Sequence, residues 1–274
     1  MIRQFYFEND KGQVFNFKYS NSVLLSEVTG LGFTFDYKYL KFDHVYETIK
    51  QDVTLAEISG TLSFLDGYLG YQRFIDYLTV QSKNLKLYYK DIDFKYIYVD
   101  IFSVSKTEIV DGYLKSEIVL HKKSYWIKER QLVLNFGKEV GGKNYPYTYP
   151  VSYVLTKAEE TRLSISGIKY AATVIEIVGD VNIPELSVFR QGIELTSMKL
   201  DITKDNARLV ISSIPNNRYM KDLSGNIETD VYALQDFSKD NFIMLPPGEL
   251  LIAFKSGRSS NTLCKMTIFE YHFG

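Results

Sequence analysis

The stretch Gly137-Lys138-Glu139-Val140-Gly141-Gly142-Lys143-Asn144 comes nearest to a recognisable chemistry in this 274-residue sequence, one residue away from a phosphate-binding loop. That loop needs a Ser or Thr hydroxyl after its lysine to hold Mg²⁺, and a following helix whose N-terminal amides face the phosphates. Asn144 stands where the hydroxyl should be, and Pro146 and Pro150 forbid a regular helix, so no nucleotide is expected. Gly30-Leu31-Gly32 lacks the third glycine of a dinucleotide fingerprint and leads into a strand pattern; its glycines read as a turn or bulge.

The remaining candidates are sparse. His44, His121 and His272 include no pair at metal-ligand spacing. Cys264, the single cysteine, shares a parity with His272, but on one strand they would stand roughly 26 Å apart at ~3.3 Å per residue, too far for a nucleophile and its base. Cys264 therefore reads as a buried small apolar residue, and no intrachain disulfide can form. Asp43-His44 could orient an imidazole, yet no nucleophile presents itself, and a solvated loop is the plainer reading. Two acids ~5–9 Å apart, as a glycosidase needs, leave no trace in sequence, and nothing selects a pair among 33. Tyr145, Tyr147 and Tyr149 alternate with Pro146 and Thr148, so an extended backbone puts three phenols on one side. They either stack on sugars or a partner, or clamp a connector to its own domain. No catalytic residue, cofactor or metal ligand emerges.

The elements that would position such groups are mostly strands. Ile2 to Phe7 and Val14 to Phe17 flank a polar turn. Phe33, Phe35, Tyr37 and Tyr39 alternate with Thr34, Asp36 and Lys38, the period of a strand with one buried face. Ile58, Gly60, Leu62 and Phe64 repeat that pattern. Tyr71, Phe74, Ile75 and Leu78 fall instead at helical spacing and predict one helix over about Gly70 to Gln81, packed on the sheet and capped by Asp66. Asp111-Gly112 is the strongest hairpin signal, since both central positions of a type I′ turn need positive φ. Between Trp126 and Pro150 charges, glycines and prolines replace the strand period, which places a boundary between domains 1–135 and 136–274. The second half predicts strands at Leu163 to Ile168, Thr173 to Val178, Leu186 to Phe189, Ile193 to Ile202, Arg208 to Ile211, Phe242 to Met244, Glu249 to Phe254 and Lys265 to Phe273. Turns are expected at Gln191-Gly192, Asp205-Asn206, Ser224-Gly225-Asn226 and Pro246-Pro247-Gly248. The fold class is mainly β: a sandwich-like first domain with one helix, and a second domain that is a β-sandwich or jelly roll.

Composition supports this. Tyr and Phe number 22 and 18 against seven Ala, which favours pleated, half-buried surface over long helices. Lys plus Arg, 32, nearly balance Asp plus Glu, 33, so neither a nucleic acid nor another polyanion is a favoured partner. Acids interrupt the N-terminus before a signal sequence could form, and the longest apolar runs, such as Leu250 to Phe254, are far below a membrane span, so a soluble protein made in a reducing cytosol is expected.

The order of several short stretches resembles the distal tail proteins of long non-contractile phage tails, over nearly the whole length. They are Ile2-Arg3-Gln4-Phe5-Tyr6-Phe7-Glu8-Asn9, Leu25-Ser26-Glu27-Val28-Thr29-Gly30-Leu31-Gly32, Leu69-Gly70-Tyr71-Gln72-Arg73-Phe74 on to Tyr77, Ser105-Lys106-Thr107-Glu108 and Ser124-Tyr125-Trp126. In the second half Tyr145-Pro146-Tyr147, Ile211-Ser212-Ser213-Ile214-Pro215 and Phe242 to Leu250 are similar. Pro247-Gly248-Glu249 departs from the family pattern, where an asparagine soon follows the glycine. The resemblance implies a first domain closing into a homo-hexameric ring that continues the tail tube, and a galectin-like second domain that carries baseplate or receptor-binding proteins. It implies a virion component made in the bacterial cytoplasm, in contact with the tail tube protein and a tail-associated lysin, and no enzyme. Sheet edges or the Asp111-Gly112 hairpin would supply the ring contact. The competing reading is a carbohydrate-binding sandwich with the first domain as spacer, and behind it a glycoside hydrolase on the same sandwich.

Overall fold

The computed structural model describes residues 4–54, 56–80, 84–90, 92–135, 159–258 and 262–274. They form two compact units, Met1–Lys128 with His272–Gly274, and Glu129–Tyr271.

The first unit contains β1 (Gln4–Glu8), β2 (Val14–Asn16), β3 (Val23–Thr29), β4 (Thr34–Phe42), β5 (Val45–Thr54), β6 (Ile58–Phe64), α1 (Tyr68–Thr79), β7 (Leu85–Lys90), β8 (Phe94–Val104), β9 (Ile109–Val110), β10 (Tyr113–Lys122) and the start of β11 (Trp126–Asn135). Its main sheet is antiparallel in the order β2-β1-β7-β8-β10-β6-β3. Alternation sets which face is buried: Ile58, Gly60, Leu62 and Phe64 point inward from β6, and Leu114, Ser116, Ile118 and Leu120 from β10. Strands toward both ends of this order feed one core, Phe7 from β1 and Phe64 from β6. Phe74 of α1 fills its centre, fully buried, with ring centroids 5.8 Å from Phe64, 6.4 Å from Phe7 and 5.1 Å from Phe15.

The helix starts two residues earlier than its apolar spacing suggests, and Asp66 does not cap it. Gly67 holds the N-cap at φ 58° with no side-chain bond, while Asp66 is drawn to the Arg73 guanidinium two turns on. An ion pair outcompetes the cap because Arg73 reaches the same carboxylate. The larger departure is β4. Its alternation was expected to bury one face, yet every residue from Thr34 to Phe42 is exposed, because β4 pairs only with β5 and nothing described covers that two-stranded ribbon. Alternation reports that a strand has an apolar face, not what lies against it.

The second unit adds β12 (Glu159–Ile165), β13 (Ala172–Asn182), β14 (Glu185–Arg190), β15 (Ile193–Lys199), β16 (Thr203–Ser212), β17 (Tyr219–Asp222), β18 (Thr229–Asp230), β19 (Gly248–Lys255) and β20 (Leu263–His272). Two antiparallel sheets, β18-β17-β16-β13-β20 and β12-β19-β14-β15, share one core, with Ile175, Leu209 and Met266 from the first meeting Val188, Ile252 and Phe254 from the second. This is a β-sandwich. Gln191-Gly192 turns with φ 51° and 83° as its type requires. Asp205-Asn206 is instead a bulge inside β16: the register slips opposite Gly179 to Val181, and Asp180 Oδ1 accepts the Asn206 N–H at 2.8 Å. Phe242 to Met244 is not a strand. Ile243 is buried in the core, but its carbonyl accepts from the Thr173 hydroxyl at 2.8 Å instead of a strand amide, and the bridge Ala171 to Leu245 is the ladder pairing that forms before Pro246 and Pro247.

Candidate assembly interface

The surface that most needs a partner is the ribbon β4–β5. It leaves the body of the first unit after Gly30-Leu31-Gly32, a segment fixed from two sides: Trp126 Nε1–H donates to the Leu31 carbonyl at 2.9 Å, and the Lys122 ammonium to that of Gly32. Gly30 has φ 75°, and a Cβ there would meet the Glu57 carbonyl oxygen at 1.8 Å, so only glycine allows the crossing. Pairing runs from Thr34↔Thr54 to Phe42↔Val45 around the two-residue tip Asp43-His44, with a bulge at Lys38/Tyr39.

One face of the ribbon is a ladder of rings. Phe33 and Phe35 are 5.1 Å apart, Phe35 and Tyr37 5.8 Å, Tyr37 and Tyr39 5.9 Å. Its foot is anchored by Phe273, whose ring stacks on Phe33 at 4.1 Å and leans on Tyr125 at 6.1 Å. The C-terminal tail thus braces the ribbon it does not cover. The opposite face carries like charges directly across the strands, Asp36 opposite Asp52 and Lys38 opposite Lys50. Such pairs repel. They are relieved along the strand, where Lys50 Nζ lies 2.6 Å from Asp52 Oδ2, and that contact raises the ammonium's pKa. The result is a negative band beside a positive one. Toward the tip both faces turn apolar, with Leu40 and Ile49 at 47% and 60% exposure, beside Phe42, Val45 and Tyr46. An uncovered two-stranded ribbon is marginal in water, and its outer edges keep unpaired N–H and C=O groups, a template for another strand.

Asp111 and Gly112 form the expected turn between β9 and β10, with φ 51° and 86°. Nothing lies within 4 Å of where a Gly112 Cβ would be, and Val110 is 63% exposed, so this tip is open as well. The segment before it is held by α1: Tyr68 O–H donates to Glu108 Oε2 at 2.6 Å, and Lys106 Nζ lies 5.1 Å over the Tyr68 ring. Tyr145, Tyr147 and Tyr149, like the glycine-rich 137–144 stretch, lie outside the described residues. Cys264 is buried in the second unit's core, opposite Ile177, eight residues along β20 from His272. No group of three or more His, Cys, Asp or Glu side chains among the described residues could hold a metal ion.

Residues 4–123 match the sequence model of the family described as distal tail protein, N-terminal domain. The chain carries a distal tail protein N-terminal domain. Among solved structures, a chain of the phage P2 baseplate in its activated conformation with Ca is similar at 17% identity and TM-score 0.65, with 98% of each chain covered. The same baseplate with Sr gives 17% and 0.66 over the same shares. The Dit protein of phage SPP1, a hub of the adsorption apparatus in phages infecting Gram-positive bacteria, gives 12% and 0.63 over 96% of this chain and 98% of that one. At these identities the likeness is one of fold, and it extends through both units. No curated protein matches the sequence. The ribbon and both candidate turn residues lie within the distal tail protein domain. Sequence reading missed the ribbon as a surface, although apolar residues on both of its parities, Phe35 and Tyr37 on one, Leu40 and Phe42 on the other, are a signal that one covering layer would not suffice.

Proposed function

We propose that this chain is a structural hub of a phage tail tip, assembling as a homo-hexameric ring that links the tail tube to the host-recognition apparatus. The carrying observation is the uncovered β4–β5 ribbon on a distal tail protein domain. In this reading residues 1–135 form the ring and 136–274 form a galectin-like sandwich that carries baseplate or receptor-binding proteins. The partners are five further copies, the tail tube protein and a tail-associated lysin. The chain is made in the bacterial cytoplasm, works in the virion, and acts by assembly without turnover.

The physical case is that each copy offers the same edge and the same ladder. A neighbour that adds a strand satisfies the free backbone groups, and its ribbon brings bands of charge complementary to those of the first. Because the contact is head to tail, it closes only when the rotation per copy divides a full turn. Sedimentation velocity over a concentration series tests this directly. A species at roughly 190 kDa, six times the 31.7 kDa chain, is expected at high concentration. A sharp dimer, or open aggregates with no closed species, would contradict the ring. A carbohydrate-binding protein is the second reading, favoured by an open cleft in the second unit lined by Arg218, Tyr232 and Asn241.

A further inference from the structure

The second unit holds an open cleft of about 470 Å³, lined by Arg218, Tyr232, Lys239, Asp240, Asn241 and Phe242. Its size lies within the range of small-ligand sites. Its rings are braced: Tyr232 stacks on Phe242 at 6.0 Å and 23°, and Phe237, 63% exposed, meets Tyr232 edge-on at 5.9 Å. The Arg218 guanidinium lies 5.7 Å over Phe242 and makes no ion pair with a described residue. Asn241 Nδ2–H donates to the Tyr232 hydroxyl at 3.1 Å, which fixes the amide and leaves Oδ1 without a partner among the described residues. Asp240 is held twice: its N–H donates to the Ser197 carbonyl at 2.8 Å, and its Oδ2 accepts the Ser197 N–H at 3.2 Å. The Lys239 charge is balanced by Glu194 at 3.3 Å.

This combination has a specific chemistry. Sugars present an apolar C–H face that packs on an aromatic ring and a rim of hydroxyls that both donate and accept. Arg218 supplies a planar fork of donors, Asp240 a fixed acceptor, and Asn241 an acceptor beside the ring. One free cation and one anion leave the cleft near neutrality, which disfavours a phosphate or another polyanion. Its polar wall does not resemble the apolar centre of a protein contact. We propose that this cleft binds a neutral saccharide, with a pyranose face on the Tyr232 and Phe242 rings that line it and its hydroxyls engaged by Arg218, Asp240 and Asn241. It goes beyond the hub reading, since the residues lie outside the distal tail protein domain and a hub needs no sugar site.

The test uses the full chain at low concentration, so the ring's presence or absence does not enter. Methyl glycosides of glucose, galactose, rhamnose and N-acetylglucosamine are titrated by calorimetry and saturation-transfer NMR. At least one binds with a dissociation constant on the order of 1 mM. Tyr232→Ala and Arg218→Gln each weaken it about tenfold, while Tyr170→Ala, an exposed ring outside the cleft, leaves it unchanged. Arg218 is exposed and held only by the Phe242 ring and a 4.0 Å contact to the Met244 sulfur, so Arg218→Gln keeps the test valid if Tyr232→Ala unfolds. Silence from all four sugars, or binding that both cleft variants leave intact, overturns the proposal.

Discussion

Tyr39→Ser separates a residue that holds the monomer together from one that holds copies together. In the free chain Tyr39 is 55% exposed and touches one ring, Tyr37. It belongs to a ribbon whose opening is local, so its loss should change global unfolding by less than about 0.5 kcal/mol. In a ring whose neighbour covers the ladder, the exposed part, roughly 110 Å² of a ~200 Å² side chain, is withdrawn from water. At ~25 cal/mol/Å² that is about 2.8 kcal/mol per contact as an upper value, or about a hundredfold in the association constant. Urea unfolding of dilute protein reads the first quantity, and mass photometry or sedimentation over a concentration series reads the second. The assembly midpoint should move to higher protein concentration by tenfold or more while the unfolding midpoint stays in place. Tyr170→Ser, at 58% exposure in the second unit, serves as the control for a ring that ring closure does not need. If Tyr39→Ser leaves assembly untouched, or if Tyr170→Ser shifts it equally, the ribbon is not the contact.

Phe74→Ala should cost about 3–5 kcal/mol in urea unfolding, since it empties the centre of the first core. Gln72→Ala on the opposite face, which loses only the 2.8 Å bond to Asp76, should cost a few tenths, about 0.3 kcal/mol; similar values for both would mean the helix faces otherwise. Gly30→Ala should cost more than ~3 kcal/mol because its Cβ collides with backbone, whereas Gly112→Ala at a comparable φ but in open space should cost ~1 kcal/mol. Thermal melts that rank them the other way would remove the fixed crossing from the account. Burial draws the Lys122 ammonium down to about 8 from the ordinary lysine range, against the pull of its bond to the Gly32 carbonyl. Between that value and the unfolded pKa near ~10.4 the unfolded chain holds the extra proton, so stability is lowest below pH 8 and rises as pH climbs through the window. For a half-buried group the rise should be about 1 kcal/mol, and Lys122→Met should abolish it. A wild-type profile that stays flat or falls across the window would contradict it.

Much of the fold was legible because its signals are local. The alternation at Ile58 to Phe64, the helical spacing around Phe74 and the positive-φ pair Asp111-Gly112 each depend on a few adjacent residues, and each folds as read. The failures arise where a distant group decides. Asp66 carries a cap's chemistry but answers to Arg73. Asp205-Asn206 has the composition of a turn, yet Asp180 across the sheet turns it into a bulge. For β4 the alternation was correct and the covering layer was absent, which no intrachain pattern reports. The Tyr232 cleft was invisible for a related reason. Arg218 and Asn241 are 23 positions apart, and only the path from β17 through the turn at Tyr232–Leu234 brings their side chains to one wall.

In the proposed assembly the distal tail protein domain closes a six-membered ring through its β4–β5 ribbon. Electron microscopy of the concentrated full-length protein, carried to a resolution that traces strands, tests it most directly. Closed rings of six are expected, with each β4–β5 ribbon against the neighbouring copy and the Phe33 to Tyr39 ladder covered. Rings joined only through the second unit, or ribbons left in solvent within a closed ring, would contradict it.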